Sequence, residues 1–466
     1  MAPQAADAVI LGAGSAGERA AQLLAEAGRD VVVVERRLVG GECPYFACIP
    51  SKAMLISAAA RAALTSEVEV SAISGPIMLQ SADEAWLRAV RRRDQIADHH
   101  DDSAHEKALH EAGVRLIRGA GVITGSHTMT VEGDDPATLS FDHLILATGS
   151  RPIIPDLPGL RDADPWTFED AWTTRRRPKS LLIMGGGAVG CEIAQTFARF
   201  GTVVTLVEQE TVGAGLEPEI AEDLADILRA DGVEVLEHTG IDSVKRADGL
   251  VSATIDGQAQ DFEQMVVAAG MTPRVDDIGL DALGIDSDGI DSHGIEVDGR
   301  GRLAGHDNVW AIGDVTDIAP CTHTANYQAA VVADNILGGD QTADYRAIPS
   351  AIYTAPSIAA TGMTRQQARD SGVDVASTVF DLGDTARAAV GQDSAGRLVL
   401  VADKSTKTLV GASLVAPSAA ESISELSLAI RAKIDLDVLA DVVHPFPTWS
   451  EGFGPAIQTL IQQLAS

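Results

Sequence analysis

At 466 residues the chain exceeds what one hydrophobic core normally serves, so roughly two to four domains are expected. Its 45% apolar content, with 44 glycines and 19 prolines, is that of a globular protein rather than a disordered or collagen-like one. A formal charge of -32, from 67 acidic against 35 basic side chains, would repel phosphate, which argues against nucleic acid and anionic membrane surfaces as partners.

No apolar run approaches the roughly 20 residues of a spanning helix, and the opening MAPQAAD lacks the basic start of a secretion signal. A cytoplasmic protein without membrane attachment is expected. In a reducing compartment the close pair among its four cysteines (Cys43, Cys48, Cys191, Cys321) reads as catalytic or metal-binding rather than as a structural staple.

In chain order, Ala8 to Leu11 reads as a short strand. The turn Gly12-Ala-Gly14-Ser-Ala-Gly17 follows, then a helix to Gly28 and a strand Val31 to Val34 ending in Glu35. The same order recurs: strand Leu181 to Met184, turn Gly185-Gly-Gly187-Ala-Val-Gly190, a helix to Phe200, and strand Val203 to Val207 ending in Glu208. In both copies the acidic residue follows the first glycine by 23 positions. One such glycine pattern is weak evidence. Two, each with its strand, helix and distant carboxylate, read as a pair of Rossmann-like dinucleotide sites. The first glycine permits a tight turn, the second lets backbone approach a pyrophosphate, and the third allows close helix packing. The carboxylate then accepts from a ribose hydroxyl.

Trp86 to Ala112 reads as a charged helix, on which His99, His100, Asp101, Asp102 and His105 suggest a solvated face rather than a metal site. Strands are expected at Leu250 to Ile255, Gln264 to Ala269, Leu398 to Val401 and Leu409 to Val415. Helices are expected near Ala419 to Ala432 and Gly454 to Leu464.

Just past the first unit lies Gly40-Gly-Glu-Cys43-Pro-Tyr-Phe-Ala-Cys48-Ile-Pro-Ser-Lys52. Residues five apart on an undistorted helix stand about 140° apart, and a disulfide needs Cα atoms within about 7 Å, so pairing these sulfurs requires a distorted helix. Pro44, suited to a first helical position, and Pro50 supply causes. A helix start and the Lys52 ammonium would both favour thiolate. Two buried thiols beside a loop are the alternative.

These motifs resemble the class I flavoprotein disulfide reductases, the family of dihydrolipoamide dehydrogenase, glutathione reductase and mercuric reductase, over essentially the whole chain. Gly40 to Lys52 is similar to that family's redox motif. Ala147-Thr148-Gly149 and Ala269-Gly270 resemble its crossovers between cofactor domains, and Gly313-Asp314 its second FAD motif. The resemblance implies an α/β fold: an FAD domain (1–150 and 275–340), an inserted NAD domain (151–274) and an α+β dimerisation domain (341–466). It further implies FAD held by Gly12, Gly14, Gly17, Glu35, Lys52, Gly121, Thr148, Gly149, Gly313, Asp314, Thr322 and His323. The nicotinamide cofactor is expected at Gly185, Gly187, Gly190, Glu192, Glu208 and Gly270. Cys48 would face the flavin, Cys43 would meet substrate, and Lys52 would pair with Glu192. A homodimer, a small-molecule electron acceptor and no metal site are expected.

Gln209-Glu-Thr-Val-Gly213 offers no basic residue to a 2'-phosphate, so NADH is expected over NADPH. The C-terminal run His444-Pro-Phe-Pro-Thr-Trp-Ser-Glu451 departs from the family pattern H-P-T-x-x-E, because aligning Pro447, Thr448 and Glu451 puts Phe446 where the catalytic His belongs. Either His444 acts as the base beside Glu451, or ordinary dithiol exchange is not the reaction. Bulky Pro44, Tyr45 and Phe46 suggest a reshaped approach to the disulfide, and Cys191 and Cys321 read as packing residues. Disulfide reduction, direct reduction of a quinone or metal acceptor, and redox sensing are the three functions compatible with this pattern.

Overall fold

The computed structural model describes residues 3–65, 80–133, 136–286, 290, 293–391 and 396–465. The chain divides into two compact units, the first comprising residues 1–51, 91–153 and 270–344, the second 52–90, 154–269 and 345–466.

Among the described residues, the first unit is built on a seven-stranded sheet. Arg115–Arg118, Val31–Glu35, Gln4–Leu11 and Ala137–Leu146 run parallel in that order. The antiparallel strands Thr128–Glu132 and Ala120–Gly125 continue the sheet, while Val309–Ala311 adds parallel to Ala137–Leu146. Val31–Glu35 is buried at every residue, as a central parallel strand covered on both faces must be. One apolar layer forms around Val9, Leu11 and Leu144, the other around Ala8, Ile10, Leu24 and Val332. The period-2 alternation along Gln4–Leu11 thus feeds two cores from one strand.

The second unit carries a parallel sheet in the order Glu234–Leu236, Val203–Val207, Ser180–Met184, Gln264–Val267. A three-stranded antiparallel sheet, Ile241–Ala247, Leu250–Ile255 and Gln258–Phe262, stands with it. A five-stranded antiparallel sheet runs Pro349–Ile352, Ser357–Gly362, Thr408–Ala416, Arg397–Asp403, Val375–Asp381. Helices Ala419–Ala432 and Phe453–Ala465 bury Leu426, Phe453 and Leu460 with it in one core. The architecture is α/β, with both glycine-turn units formed as the sequence indicates.

Two expectations change. The charged stretch Trp86 to Ala112 is not one helix but Ala82–Ile96, a short 3-10 turn Asp98–His100, and Ser103–Glu111. Asp98, His99 and His100 all have positive φ, which an α-helix cannot accommodate. Asp102 supplies a cause: its carboxylate accepts from Val39 N and meets the Arg118 guanidinium, both at 2.7 Å, which anchors the chain at that point. His105 stands apart from a solvated face, with Nδ1 2.9 Å from Glu18 Oε1. In addition, Glu42–Leu64 is 23 residues long with mean hydropathy 1.2, so by length and composition alone it would suffice to cross a bilayer. Its helix is interrupted between the cysteines, however, and carries Lys52 and Arg61.

Candidate active site

In the first glycine turn, Gly12 has φ +105°, and a Cβ there would lie 2.3 Å from Ala147 O; a Cβ on Gly17 would lie 1.9 Å from Gly12 O. The second turn repeats this: Gly185 has φ +108° with Ala268 O at 2.3 Å, and Gly190 would meet Gly185 O at 1.9 Å. The first and third glycines are therefore demanded by the protein's own backbone. The middle glycines are not. A Cβ on Gly187 would meet nothing within 4 Å, and one on Gly14 only Gly41 Cα at 3.9 Å. Gly14 and Gly187 also begin their helices without a side-chain cap, which leaves first-turn N–H groups for an anion. Open space over uncapped helix starts fits a dinucleotide pyrophosphate at both turns.

The two carboxylates brace these turns in the same way. Glu35 accepts from Ala13 N at 2.7 Å and Arg37 N at 2.6 Å; Glu208 accepts from Gly186 N at 2.7 Å and Glu210 N at 2.9 Å. A carboxylate has about four acceptor sites, so each retains capacity for a ribose hydroxyl.

The cysteine segment is held against the first turn. Gly40 N donates to Ala13 O at 2.7 Å, and a Cβ on Gly41 would lie 2.7 Å from Gly14 Cα. Glu42–Tyr45 forms one helical turn, Phe46 leaves helical geometry at φ -125°, and a new helix runs Cys48–Thr65. This is the distortion that the five-residue spacing requires, although Pro44 takes the third helical position rather than the first. Pro50 likewise sits third in its helix, where a missing N–H costs no intrahelical bond. Each cysteine thus lies in the first turn of a helix, and both are unbridged and partly exposed. Cys48 Sγ is 3.5 Å from Thr322 Oγ1. Tyr45 does not line the approach to the thiols: it is 1% exposed, with its hydroxyl donating to Val39 O at 3.0 Å. Phe46 is clamped between the Arg37 guanidinium and His100.

Asp314 accepts from Ser150 Oγ at 2.9 Å, and its carboxyl sits above the usual carboxylate range because it is buried. It lies in the 3-10 turn Gly313–Thr316. Thr148 and Gly149 meet the segment after Gly270 in a small crossover: Thr148 Oγ1 donates to Arg274 O at 2.7 Å, and Ile153 N to Gly270 O at 3.0 Å. Arg274 was not anticipated. Its side chain donates to Ser150 O at 2.6 Å and Glu42 Oε1 at 3.1 Å, so it ties the residue preceding Cys43 to the partner of Asp314. The available signal is that Arg274 is the only Lys or Arg between Arg246 and Arg300. At Gly121, expected at the flavin, a Cβ would come within 2.7 to 3.2 Å of Leu11, Met129 and Val34, so only a glycine fits beside these core side chains. His323 does not stand alone either, since its Nε2 lies 3.0 Å from Cys321 Sγ. That contact overturns the packing reading of Cys321, whereas Cys191 is fully buried as expected.

In the second unit Lys52 Nζ donates to both Glu192 oxygens, at 2.9 and 3.1 Å, and stacks over the Tyr353 ring at 4.4 Å. Glu192 is 5% exposed and also accepts from Tyr353 N at 2.9 Å, so this buried carboxylate is paired and hydrogen-bonded, as burial of a charge demands. In the C-terminal region His444 and Glu451 do not meet. His444 Nε2 is 2.9 Å from Glu425 Oε1, while Glu451 accepts from Arg387 N at 3.1 Å. Phe446 is 77% exposed.

Residues 6–333 match the family model of the pyridine nucleotide-disulphide oxidoreductases, and residues 348–457 that of their dimerisation domain. The chain is 31% identical to a mercuric reductase of Streptomyces lividans, over 98% of this chain and 97% of that one. It is 32% identical to a dihydrolipoyl dehydrogenase of Geobacillus stearothermophilus, over 96% and 94%. Among solved structures, the flavoprotein disulfide reductase RclA from Escherichia coli superposes with a TM-score of 0.86 at 24% identity, covering 98% of this chain and 100% of that one. At that identity the likeness speaks for the fold.

Proposed function

The chain belongs to the pyridine nucleotide-disulphide oxidoreductase family, and from that premise we propose an NADH-dependent reductase that uses FAD and the Cys43/Cys48 pair to reduce a small disulfide-type acceptor. Family members are FAD-dependent, use a pyridine nucleotide and act on sulfur groups. The observation that carries the reading is the helix break between the cysteines, which puts each thiol in a helix first turn, in a segment whose Gly40 and Gly41 are held against the first dinucleotide turn. FAD would rest on Gly12, Gly14, Gly17 and Glu35, with Asp314, Thr148, Gly149, Gly313, Thr322 and His323 as further contacts. NADH would rest on Gly185, Gly187, Gly190 and Glu208, with Gly270. When bound, the two cofactors supply the hydride chemistry.

The chain's own residues orient groups and move protons. Helix-start N–H groups lower the cost of a thiolate at Cys48, and Thr322 gives that sulfur a hydroxyl partner. Glu192 fixes the Lys52 ammonium in one place and supplies its counter-charge. Glu208, followed by no Lys or Arg through Gly213, favours a free ribose 2'-hydroxyl and hence NADH. A homodimer is part of the proposal: Leu428, Val438, Val443 and Phe446 are 60 to 92% exposed within the dimerisation segment, apolar side chains that a second copy would cover. The reducing compartment such a dithiol needs is the cytoplasm.

Anaerobic titration with NADH should raise a long-wavelength absorption band after two electrons, and Cys43→Ser should abolish disulfide reduction. No band in the wild type would overturn the reading. A second reading, direct electron transfer to a quinone or metal ion, is favoured by the exposed phenyl ring at Phe446, which cannot carry a proton. It requires Cys43→Ser to keep full quinone reductase activity while disulfides prove poor acceptors for the wild type.

A further inference from the structure

The residue before Cys43 is a glutamate, and a negative charge on the neighbouring residue, its Cα about 3.8 Å away, works against a thiolate. That charge is met by a cation from a distant part of the chain. Arg274 Nη2 donates to Glu42 Oε1 at 3.1 Å, and the two side chains are 21% and 26% exposed, so water screens the pair only in part. Backbone fixes both ends. Gly41, directly before Glu42, has φ +73° and packs so closely that a Cβ would stand 2.7 Å from Gly14 Cα. Arg274 N donates to Gly149 O at 2.9 Å, its carbonyl accepts from Thr148 Oγ1 at 2.7 Å, and its Nε donates to Ser150 O at 2.6 Å.

A glutamate that opens a helical turn is favourable there without help, so helix formation does not call for an arginine 232 residues away. Other charges beside this segment are engaged with different partners: Asp102 with Arg118 at 2.7 Å, His105 with Glu18 at 2.9 Å, and Arg37 over the Phe46 ring. Arg274 is placed to cancel Glu42.

We propose that Arg274 is a positioning residue for Cys43: by holding and neutralising the Glu42 carboxylate it keeps the adjacent thiolate available to the acceptor. This role rests on the proposed assignment of Cys43 as the thiol that meets substrate. Without Arg274, Glu42 becomes an uncompensated negative charge next to the reacting sulfur. Without both, the thiol recovers.

The holoenzyme is reduced anaerobically with dithiothreitol, freed of it and alkylated with iodoacetamide at neutral pH, and Cys43 and Cys48 are followed separately by tandem mass spectrometry. No NADH enters the experiment, so its outcome is independent of whether NADH is the reductant. Arg274→Gln should slow alkylation of Cys43 about three- to tenfold in protein that retains its flavin, and adding Glu42→Gln should restore the rate to within about twofold of wild type. A purely structural loss of the arginine predicts no such rescue. Glu42→Gln alone keeps the test decisive should Arg274→Gln lose its flavin: Cys43 should then react about threefold faster, because Arg274 is left as an uncompensated cation. A double variant as slow as Arg274→Gln, or a Cys43 rate that Glu42→Gln leaves unmoved or lowers, overturns the role.

Discussion

The paired glycine turns and the C-terminal segment around Phe446 stand at opposite extremes of constraint. In the turns, two copies of one pattern arrive at the same distances: 2.3 Å for the first glycine, 1.9 Å for the third, and a carboxylate 23 residues on that holds the turn's own backbone. In the C-terminal segment the expected partners are exchanged, His444 going to Glu425 and Glu451 to Arg387 N. In the turns the chain's own carbonyl oxygens leave no room for a side chain, so each turn tolerates only glycine at its first and third positions. In the C-terminal segment no such backbone contact constrains Phe446, whose ring is 77% exposed.

Breaking the turns should have the largest effects. A methyl group placed 1.9 Å from a carbonyl oxygen must displace backbone, at a cost of about 1–3 kcal/mol. Gly17→Ala should therefore reduce FAD retention by up to about a hundredfold. Gly190→Ala should keep the flavin, visible in its absorbance, and lose reduction by NADH. Loss of both properties in both variants would mean that the two turns are not separate sites.

The next effect sharpens the contrast between the turns themselves. The first carboxylate is followed by Arg36-Arg37 and the second by Gln209-Glu210. Glu208→Gln should lower kcat/KM for NADH about tenfold, since a charge-assisted acceptor is lost. Gln209→Arg should raise kcat/KM for NADPH by a similar factor. Steady-state rates with the two nucleotides decide it, and equal or better use of NADPH by the wild type would defeat the NADH assignment.

Asp314 gives a smaller, pH-dependent effect. Its folded-state pKa lies above the ordinary value through burial, so the charged form is disfavoured in the fold. The penalty is absent below the ordinary carboxylate range, grows as pH rises toward the folded value and is complete above it. Asp314→Asn should thus raise the thermal midpoint of the FAD-free protein at neutral pH, with the gain vanishing toward pH 3. The same variant should hold FAD several-fold more weakly, as the loss of one charged acceptor implies. Melting curves across pH and flavin retention on dilution measure the two effects.

How far the sequence reveals the structure follows the same division. The turns, the helix break between Cys43 and Cys48, the Lys52–Glu192 pair and the helix Ala419–Ala432 are legible because local spacing or a family motif dictates them. Arg274, Ser150 and Glu42 are joined across more than 100 residues, and no local pattern announces such a network. The break at Asp98–His100 depends on what Asp102 meets elsewhere in the fold. Gly121 is named in the sequence only through the family resemblance, and the crowding of Leu11, Met129 and Val34 around it is visible only in three dimensions.

The smallest structural effect belongs to Phe446, and it tests the freedom of the C-terminal segment directly. At 77% exposure in the single chain the ring holds little of this fold together, so Phe446→His should change stability by less than about 0.5 kcal/mol. If the segment serves a dithiol reaction from which the base has been lost, the new imidazole restores a proton carrier, and disulfide reduction should quicken while quinone reduction stays unchanged. If instead His444 carries the proton, oriented by Glu425 at 2.9 Å, Phe446→His should be silent and His444→Ala or Glu425→Gln should slow disulfide reduction alone. A variant set in which none of the three alters disulfide reduction would remove proton transfer by this segment from the mechanism and shift weight to direct reduction of a quinone or metal ion.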